Sequence, residues 1–353
     1  MKLGFIERAY PCRFITKKRC ILNRQKAGVL FLALWALGFL TVVAYMLAAA
    51  VRQRLLFVQR LNERASARLI AEAGARQAIF QFLRNSPKDC SALKDKWSNE
   101  PSLFKDITLG EGKFTVWSEY FSLGGVRKRL FGLVDEERKV NLNTASMVIL
   151  ERLFQAVLGC DDLKARELAA SVVDWRDKDS QLSYPLSAED SYYSFLKAPY
   201  RAKNSDFEVL EELLLVKGFD GVTFNKIRDY VTIYSNGKIN INTAPWPVLV
   251  AAGLSPDLAT KLIQFRQGED GEEATSDDRV ITSLDALTNG LAAYFDLSNS
   301  EKQQLGLACA EIFTTNSDYF SIHSSASFRS RDDLAGVDCV VNRQGKVLSW
   351  REF

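Results

Sequence analysis

Histidine is almost missing from this chain: among 353 residues there is one, His323. A catalytic triad built on histidine and a zinc centre needing several are nearly excluded on that ground. The phosphate-cradling patterns GxxxxGK[ST] and GxGxxG are also missing, so the commonest signatures of nucleotide binding are not there. No CxxC or comparable metal-ligand spacing joins the six cysteines. Proline is scarce, at 8 residues, while 47% of the chain is hydrophobic and 25% is charged. That balance excludes a disordered, collagen-like or low-complexity chain and allows one large or two ordinary domains.

The net charge of +3 conceals an asymmetry. Residues 1–28 carry eight basic side chains against Glu7, a charge of +7, which leaves −4 on residues 29–353. A nucleic-acid surface made by global charge is therefore disfavoured. Residues 27–51 (AGVLFLALWALGFLTVVAYMLAAAV) hold no charge over 25 positions, more than the roughly 20 needed to span a bilayer. The basic cluster lies before this run, so the positive-inside rule places the N-terminus in the cytoplasm and the bulk of the chain outside. A cleaved signal ending near Ala48-Ala49-Ala50 is the rival reading, but the apolar run exceeds the usual 7–15 residues of a signal core. The helical pattern also continues. Residues 52–85 lack proline, and apolar residues recur at Leu55, Val58, Leu61, Ala65, Leu69, Ala73 and Phe80. The spacing predicts one helix from about 28 to about 84, roughly 85 Å long. Its first half is apolar all round and its second half presents one face to a globular head. Cys12 and Cys20 precede the span; Cys90, Cys160, Cys309 and Cys339 follow it, where an oxidising compartment permits disulfides and buried free thiols are the alternative.

Beyond a connection at about 86–110, residues 114–121 (FTVWSEYF) and 128–134 (KRLFGLV) read as a hairpin across Gly124-Gly125. Residues 318–328 and 337–350 read as strands again, with a turn at 342–345 and His323 an ordinary strand residue. Strands at both ends of a long middle suggest one sheet with an insertion. That middle is helical and carries a repeat. Val140-Asn141-Leu142-Asn143-Thr144-Ala145 returns 99 residues later as Ile239-Asn240-Ile241-Asn242-Thr243-Ala244. Each is followed by a helix-like run, a glycine (Gly159, Gly253) and a second run. Asn and Thr side chains there can bond the free N–H groups of a helix start. Residues 207–218 (FEVLEELLLVKG) have the spacing of a helix ending in a glycine cap. Helix-hairpin-helix DNA-binding modules share this arrangement, but both turns carry acids (Asp161, Asp162, Asp257) where phosphate contact needs bases, which favours a packing role.

Asp174, Asp177 and Asp179, with Glu189 and Asp190 further on, form an acidic loop that can fold around a hard cation such as calcium. The spacing is not that of an EF-hand, and a solvated loop is the alternative; a glycosidase-like carboxylate pair has no sugar cleft beside it. Residues 269–278 (EDGEEATSDD), with Asp277 and Asp278, are a flexible surface loop or part of a second cation site.

Five pieces, in order behind the membrane segment, resemble the type II secretion minor pseudopilin K (GspK) family. They are 26–41 (KAGVLFLALWALGFLT), 139–146 (KVNLNTAS), 171–193 (SVVDWRDKDS…SAEDSYY), 199–218 (PYRAKNSDFEVLEELLLVKG) and 230–245 (YVTIYSNGKININTAP). The resemblance runs from about Lys26 to the C-terminus. It implies an α+β pilin-like fold, in which a long N-terminal helix packs on an antiparallel sheet that holds a large inserted α-domain with two helix-hairpin-helix or SAM-like repeats. The implied divisions are a leader (1–28), a transmembrane part (29–51), its amphipathic continuation (52–85), the first part of the head (86–137), the inserted α-domain (138–311) and C-terminal head strands (312–353). Prepilin peptidase is expected to cleave between Gly28 and Val29, leaving a Val29 that can be methylated. The pilin glutamate at the fifth mature position is replaced by Ala33, as in the K family. The resemblance carries calcium to Asp174, Asp177, Asp179 and Glu189, with Asp190 beside them and Asp277 and Asp278 as a weaker second set. Ser187 stands where the family often has glycine.

The implied role is structural and non-enzymatic: a tip subunit that initiates or caps the pseudopilus with the I- and J-type minor pseudopilins. Other implied partners are the major pseudopilin, the peptidase, the inner-membrane secretion platform and exported proteins, with no nucleic acid. The location is the inner membrane, single-pass, with a periplasmic C-terminal domain. The competing readings are a membrane-anchored helix-hairpin-helix DNA receptor and a secreted hydrolase. Intact mass and N-terminal sequencing of the full-length chain, with and without prepilin peptidase, separate the three. A peptidase-dependent start at Val29 is expected; a start near Val51 marks a secreted protein, and a chain uncut in both conditions favours the receptor.

Overall fold

The computed structural model describes residues 20–85, 89–329 and 331–353. The greater part of the expected leader, residues 1–19 with Cys12, lies outside the described residues, as does 86–88 at the expected helix–head boundary. Helix α1, Cys20–Asn85, is one element of 66 residues. It starts earlier than the apolar run because the residues around Lys26 are good helix formers and the last upstream proline is Pro11. Residues up to Asn62 form one unit and Glu63–Phe353 another. In the first, the apolar side chains between Val29 and Leu61 are exposed, and this stretch is long and apolar enough to cross a membrane.

In the second unit, the head begins with α2 (Pro101–Phe104), β1 (Ile107–Leu109), β2 (Gly112–Val116), β3 (Ser118–Phe121), β4 (Arg127–Leu130) and β5 (Val134–Asp135). The expected connection thus holds structure of its own, and the expected hairpin is half right. β3 pairs with β4, whereas β2 belongs to another sheet. The break falls at Trp117, whose backbone N–H bonds His323 O at 3.1 Å.

Two helical modules follow. The first runs through β6 (Val140–Asn141), α3 (Met147–Leu158), α4 (Asp162–Arg176), α5 (Asp190–Ser194), a 3-10 turn (Leu210–Leu215), α6 (Gly221–Ile227) and β7 (Val231–Thr232). The second runs through β8 (Ile239–Asn240), α7 (Trp246–Ala251), α8 (Pro256–Arg266), α9 (Leu287–Ala292), α10 (Asn299–Glu311) and β9 (Phe313–Thr314). Each module is closed by a short parallel pairing of its ends, β6 with β7 and β8 with β9. The segment 210–215 is a 3-10 turn rather than the expected α-helix, with Gly218 at φ +87° behind it. Glu212 Oε1 accepts from Glu208 N and Val209 N at 2.9 and 3.1 Å, which tightens this turn at its start.

β10 (Tyr319–Phe328), β11 (Arg331–Asn342) and β12 (Val347–Glu352) complete the head. The sheet order is β1-β2-β10-β11-β12, with β5 also on β10, all antiparallel. Along β10, Phe320, Ile322, Ser324 and Ala326 alternate onto one buried face. That face meets Ala67, Ile70, Ala71, Ala75, Ala78 and Phe82 of α1 in one core. The expected contact face is therefore corrected: Leu69 and Phe80 are exposed. Between Ile70 and Phe82 the inner face is built from Ala71, Gly74, Ala75 and Ala78, so the helix axis lies close enough for Ser324 Oγ to donate to Ala71 O at 2.8 Å. Larger side chains there would hold the helix away.

The modules share a separate core around Leu150, Leu168, Leu249 and Leu262. A polar seam ties the second module to the head. The Asp135 carboxylate accepts from Thr243 Oγ1 at 2.5 Å, Ser317 Oγ at 2.7 Å and Asn240 Nδ2 at 3.0 Å. Burial pushes its pKa up against those bonds, and burial together with the Asp135 charge pushes Glu137 up to about 9. The four cysteines after the span are free thiols.

A side chain at Gly74 would collide with Ser324 Oγ and come within 2.7 Å of the Phe114 ring. Gly74→Val is expected to destabilise the head by about 1–3 kcal/mol, measured by urea denaturation. Unchanged stability would show that α1 can move off the sheet.

Candidate metal centre

The acidic loop hangs on the local chemistry of the first module. Asn141 Oδ1 accepts from Asn143 N at 2.8 Å, bending the chain into the start of α3. Asn143 then pairs with the backbone of Phe207 as another strand would, accepting from its N–H at 2.8 Å and donating to its carbonyl at 3.0 Å. The second module repeats this. Asn240 Oδ1 accepts from Asn242 N at 3.0 Å, and Asn242 holds Ile281 N and O at 2.8 and 2.9 Å. In both modules the turn carbonyls are gripped by an arginine at the end of the second helix. Arg176 donates to Leu142 O and, at 2.5 Å, to Ala145 O; Arg266 donates to Ile241 O and Ala244 O at 2.8 and 2.9 Å. Sequence reasoning missed this pair. The signal was present as an aromatic–arginine step, Trp175-Arg176 and Phe265-Arg266, closing both helix pairs.

The acidic loop leaves Arg176 directly. Asp177, Asp179 and Glu189 offer carboxylate oxygens all within 4.8 Å of one another. Asp177 Oδ1 and Glu189 Oε1 are buried and have no hydrogen-bond partner. Three converging carboxylates with two orphaned oxygens suit a hard divalent cation, with backbone carbonyls and water completing 6–8 ligands. The residues thus fit calcium, whose chemistry here would be structural: it would neutralise the cluster and hold the loop.

Asp174 and Asp190 are placed differently from the other three. Asp174 is fully buried, accepting from Ser183 N at 3.0 Å and from the Ser187 hydroxyl. Ser187 thereby helps shape the loop. Asp190 accepts from Ala202 N at 2.8 Å at the start of α5. The cluster rests on an aromatic bed, with Trp175 edge-on to Tyr193 at 5.3 Å and Tyr193 stacked on Tyr200 at 5.2 Å.

In the second acidic stretch, Asp277 Oδ2 accepts from Glu269 N and Asp270 N at 2.7 and 3.1 Å. Asp278 Oδ2 accepts from Ala274 N at 2.8 Å. These carboxylates close their own loop. Glu273, buried like Asp278, pairs with Arg266 at 2.5 Å and accepts from the Tyr120 hydroxyl.

Comparison with known proteins bears on this site. Residues 130–236, the first module with its acidic loop, match the family model for type II secretion system (T2SS), protein K. Over 229 residues the chain is 27% identical to type II secretion system protein K of Pseudomonas aeruginosa, covering 63% of this chain and 65% of that protein. Over 309 residues it is 25% identical to the Aeromonas hydrophila protein of the same name, covering 78% of this chain and 88% of that one. The chain is similar to type II secretion system protein K. Its fold resembles a chain of the crystal structure of the GspK-GspI-GspJ complex from enterotoxigenic Escherichia coli. The TM-score is 0.57 and the identity 19%, over 86% of this chain and 99% of that one.

The electrostatics of the acidic loop yield a prediction. Burial, aided by the charges of Asp174, Asp177 and Asp190, pushes Glu189 up to about 7; burial, with Asp179 and Asp174, also raises Asp177. A group raised above its unfolded pKa contributes stability below that unfolded value, near 4.5 for Glu189, and loses it as pH rises through the folded value. In chelator, the melting temperature is therefore expected to fall between pH 5 and pH 8, and Glu189→Gln is expected to flatten the fall. A melting temperature in chelator that is flat across this range would contradict the placement of Glu189.

Proposed function

We propose that this chain is the K-type minor pseudopilin of a type II secretion system, a structural subunit at the tip of the pseudopilus. The observation that carries the proposal is a K-family module inserted in a head built as one long helix on an antiparallel sheet. In this reading the apolar part of α1 anchors the subunit in the inner membrane, with the basic leader cytoplasmic and the head periplasmic. Prepilin peptidase releases Val29. Ala33, in place of a pilin glutamate, suits a subunit with no neighbour above it, since an unpaired carboxylate in lipid is costly. The I- and J-type minor pseudopilins are the partners we assign. Support comes from the fold shared with a chain of the GspK-GspI-GspJ complex.

We read the two modules as helix-hairpin-helix units adapted to packing. Both second helices are capped by their own side chains, Asp161 on Lys164 N at 2.8 Å and Ser255 on Leu258 N at 3.3 Å. One amide at each of these helix starts is thus occupied, and the DNA-receptor reading gains no support. We assign calcium to Asp177, Asp179 and Glu189, with Asp174 and Asp190 shaping the loop. The inserted domain of about 138–311 would block the position of a further subunit above the tip.

Two measurements test the proposal. Calcium at about a hundred times its dissociation constant should stabilise the chain by about 2.7 kcal/mol. Calorimetry should show that stabilisation lost in Asp177→Asn; a melting point indifferent to calcium removes the cation from the assignment. Pseudopili assembled with a chain in which a short linker replaces 138–311 should lengthen in electron micrographs. Unchanged length would refute the capping role.

A further inference from the structure

On the sheet face turned away from α1 lies a cavity of about 620 Å³, bounded by β10–β12 and the first module. That volume lies within the roughly 300–1,000 Å³ of sites for small organic ligands. Its walls are aromatic, from Trp117, Phe224, Tyr230 and Tyr234. Most of its charges answer one another: Lys139 pairs with Glu136 at 2.6 Å, and Arg351 with Glu211 at 2.7 Å and Asp338 at 3.2 Å.

Arg138 breaks that pattern. It lines the cavity, is 7% exposed, and its Nε is buried without a hydrogen-bond partner. Its guanidinium lies 4.9 Å from the centre of the Tyr120 ring. No carboxylate among the described residues lies within ion-pair distance of it. Arginine cannot shed its charge by losing a proton, and a buried unpaired charge is costly. A cation held this way is an open half of a bidentate pair.

We propose that this cavity binds an organic carboxylate carried on an aromatic or aliphatic body, with its carboxylate on the Arg138 fork and its body among the aromatic walls. A monoanion is the match. Among the described residues of the lining, Arg138 is the cation without an acidic partner, and a phosphate dianion would leave one of its charges unanswered. The proposal does not depend on the tip-subunit reading, since it concerns a cavity apart from the metal loop.

Titration calorimetry on the full-length chain in detergent tests it, with N-acetylphenylalanine, its uncharged amide and inorganic phosphate as probes. The acid is expected to bind at least tenfold more tightly than the amide and the phosphate, and Arg138→Gln is expected to abolish the preference. Equal affinity for acid and amide, no binding of the acid at millimolar concentration, or a preference surviving Arg138→Gln would each overturn it. Should that variant not fold, Arg138→Lys serves instead. It keeps the charge but loses the fork, and is expected to weaken the acid while leaving the amide unchanged; an unchanged acid affinity would overturn the assignment.

Discussion

The helical modules depend on one constraint, the way each Asn-x-Asn-Thr-Ala turn is held from within. A turn between a strand and a helix leaves backbone groups without partners, and burying it requires each of them to be bonded. Here the first asparagine bends the turn, the second takes the place of a neighbouring strand, and an arginine from the second helix takes the carbonyls. Arg266 also pairs with Glu273, so the second module's clamp is itself neutralised. Arg176 has no such ion pair among the described residues; Asp206 and Asp177 supply nearby negative charge. The acidic loop thus begins next to the arginine that organises its module, which couples loop geometry to the module's fold.

Carboxylates are used in two ways in this molecule. In the seam between head and second module, Asp135 is surrounded by donors and serves as a structural acceptor. In the loop, Asp177 and Glu189 converge with oxygens left unbonded, and their proximity raises the cost of ionising them. The first arrangement needs nothing further; the second leaves carboxylate oxygens free for the cation we propose. The contrast between Asp174, fully satisfied by Ser183 and Ser187, and Glu189, with one orphaned oxygen, cannot be read from spacing because all these acids look alike along the chain.

The contact of α1 with the sheet makes the same point about apolar residues. Hydrophobic periodicity led to the stripe through Leu69 and Phe80, the bulky positions. The buried face is the small-residue one, because close approach of helix to sheet is worth more than the area of a few large side chains held at a distance. Trp117 divided what read as one strand for a related reason: its backbone joins β10 while the residues after it pair locally with β4.

Much of the architecture follows from local pattern. The uncharged run, the duplicated asparagine turns with their glycines, the terminal strands and the acidic loop each depend on neighbours in sequence, so all were legible. What only the tertiary structure decided are relations between distant residues. They include which acids converge, which face of α1 is buried, that Arg176 and Arg266 reach back to the turns, and that Arg138 is buried at a cavity with no carboxylate of the described residues within ion-pair distance. Burial and pairing arise from chain segments brought together by packing, and no periodicity along the chain encodes them.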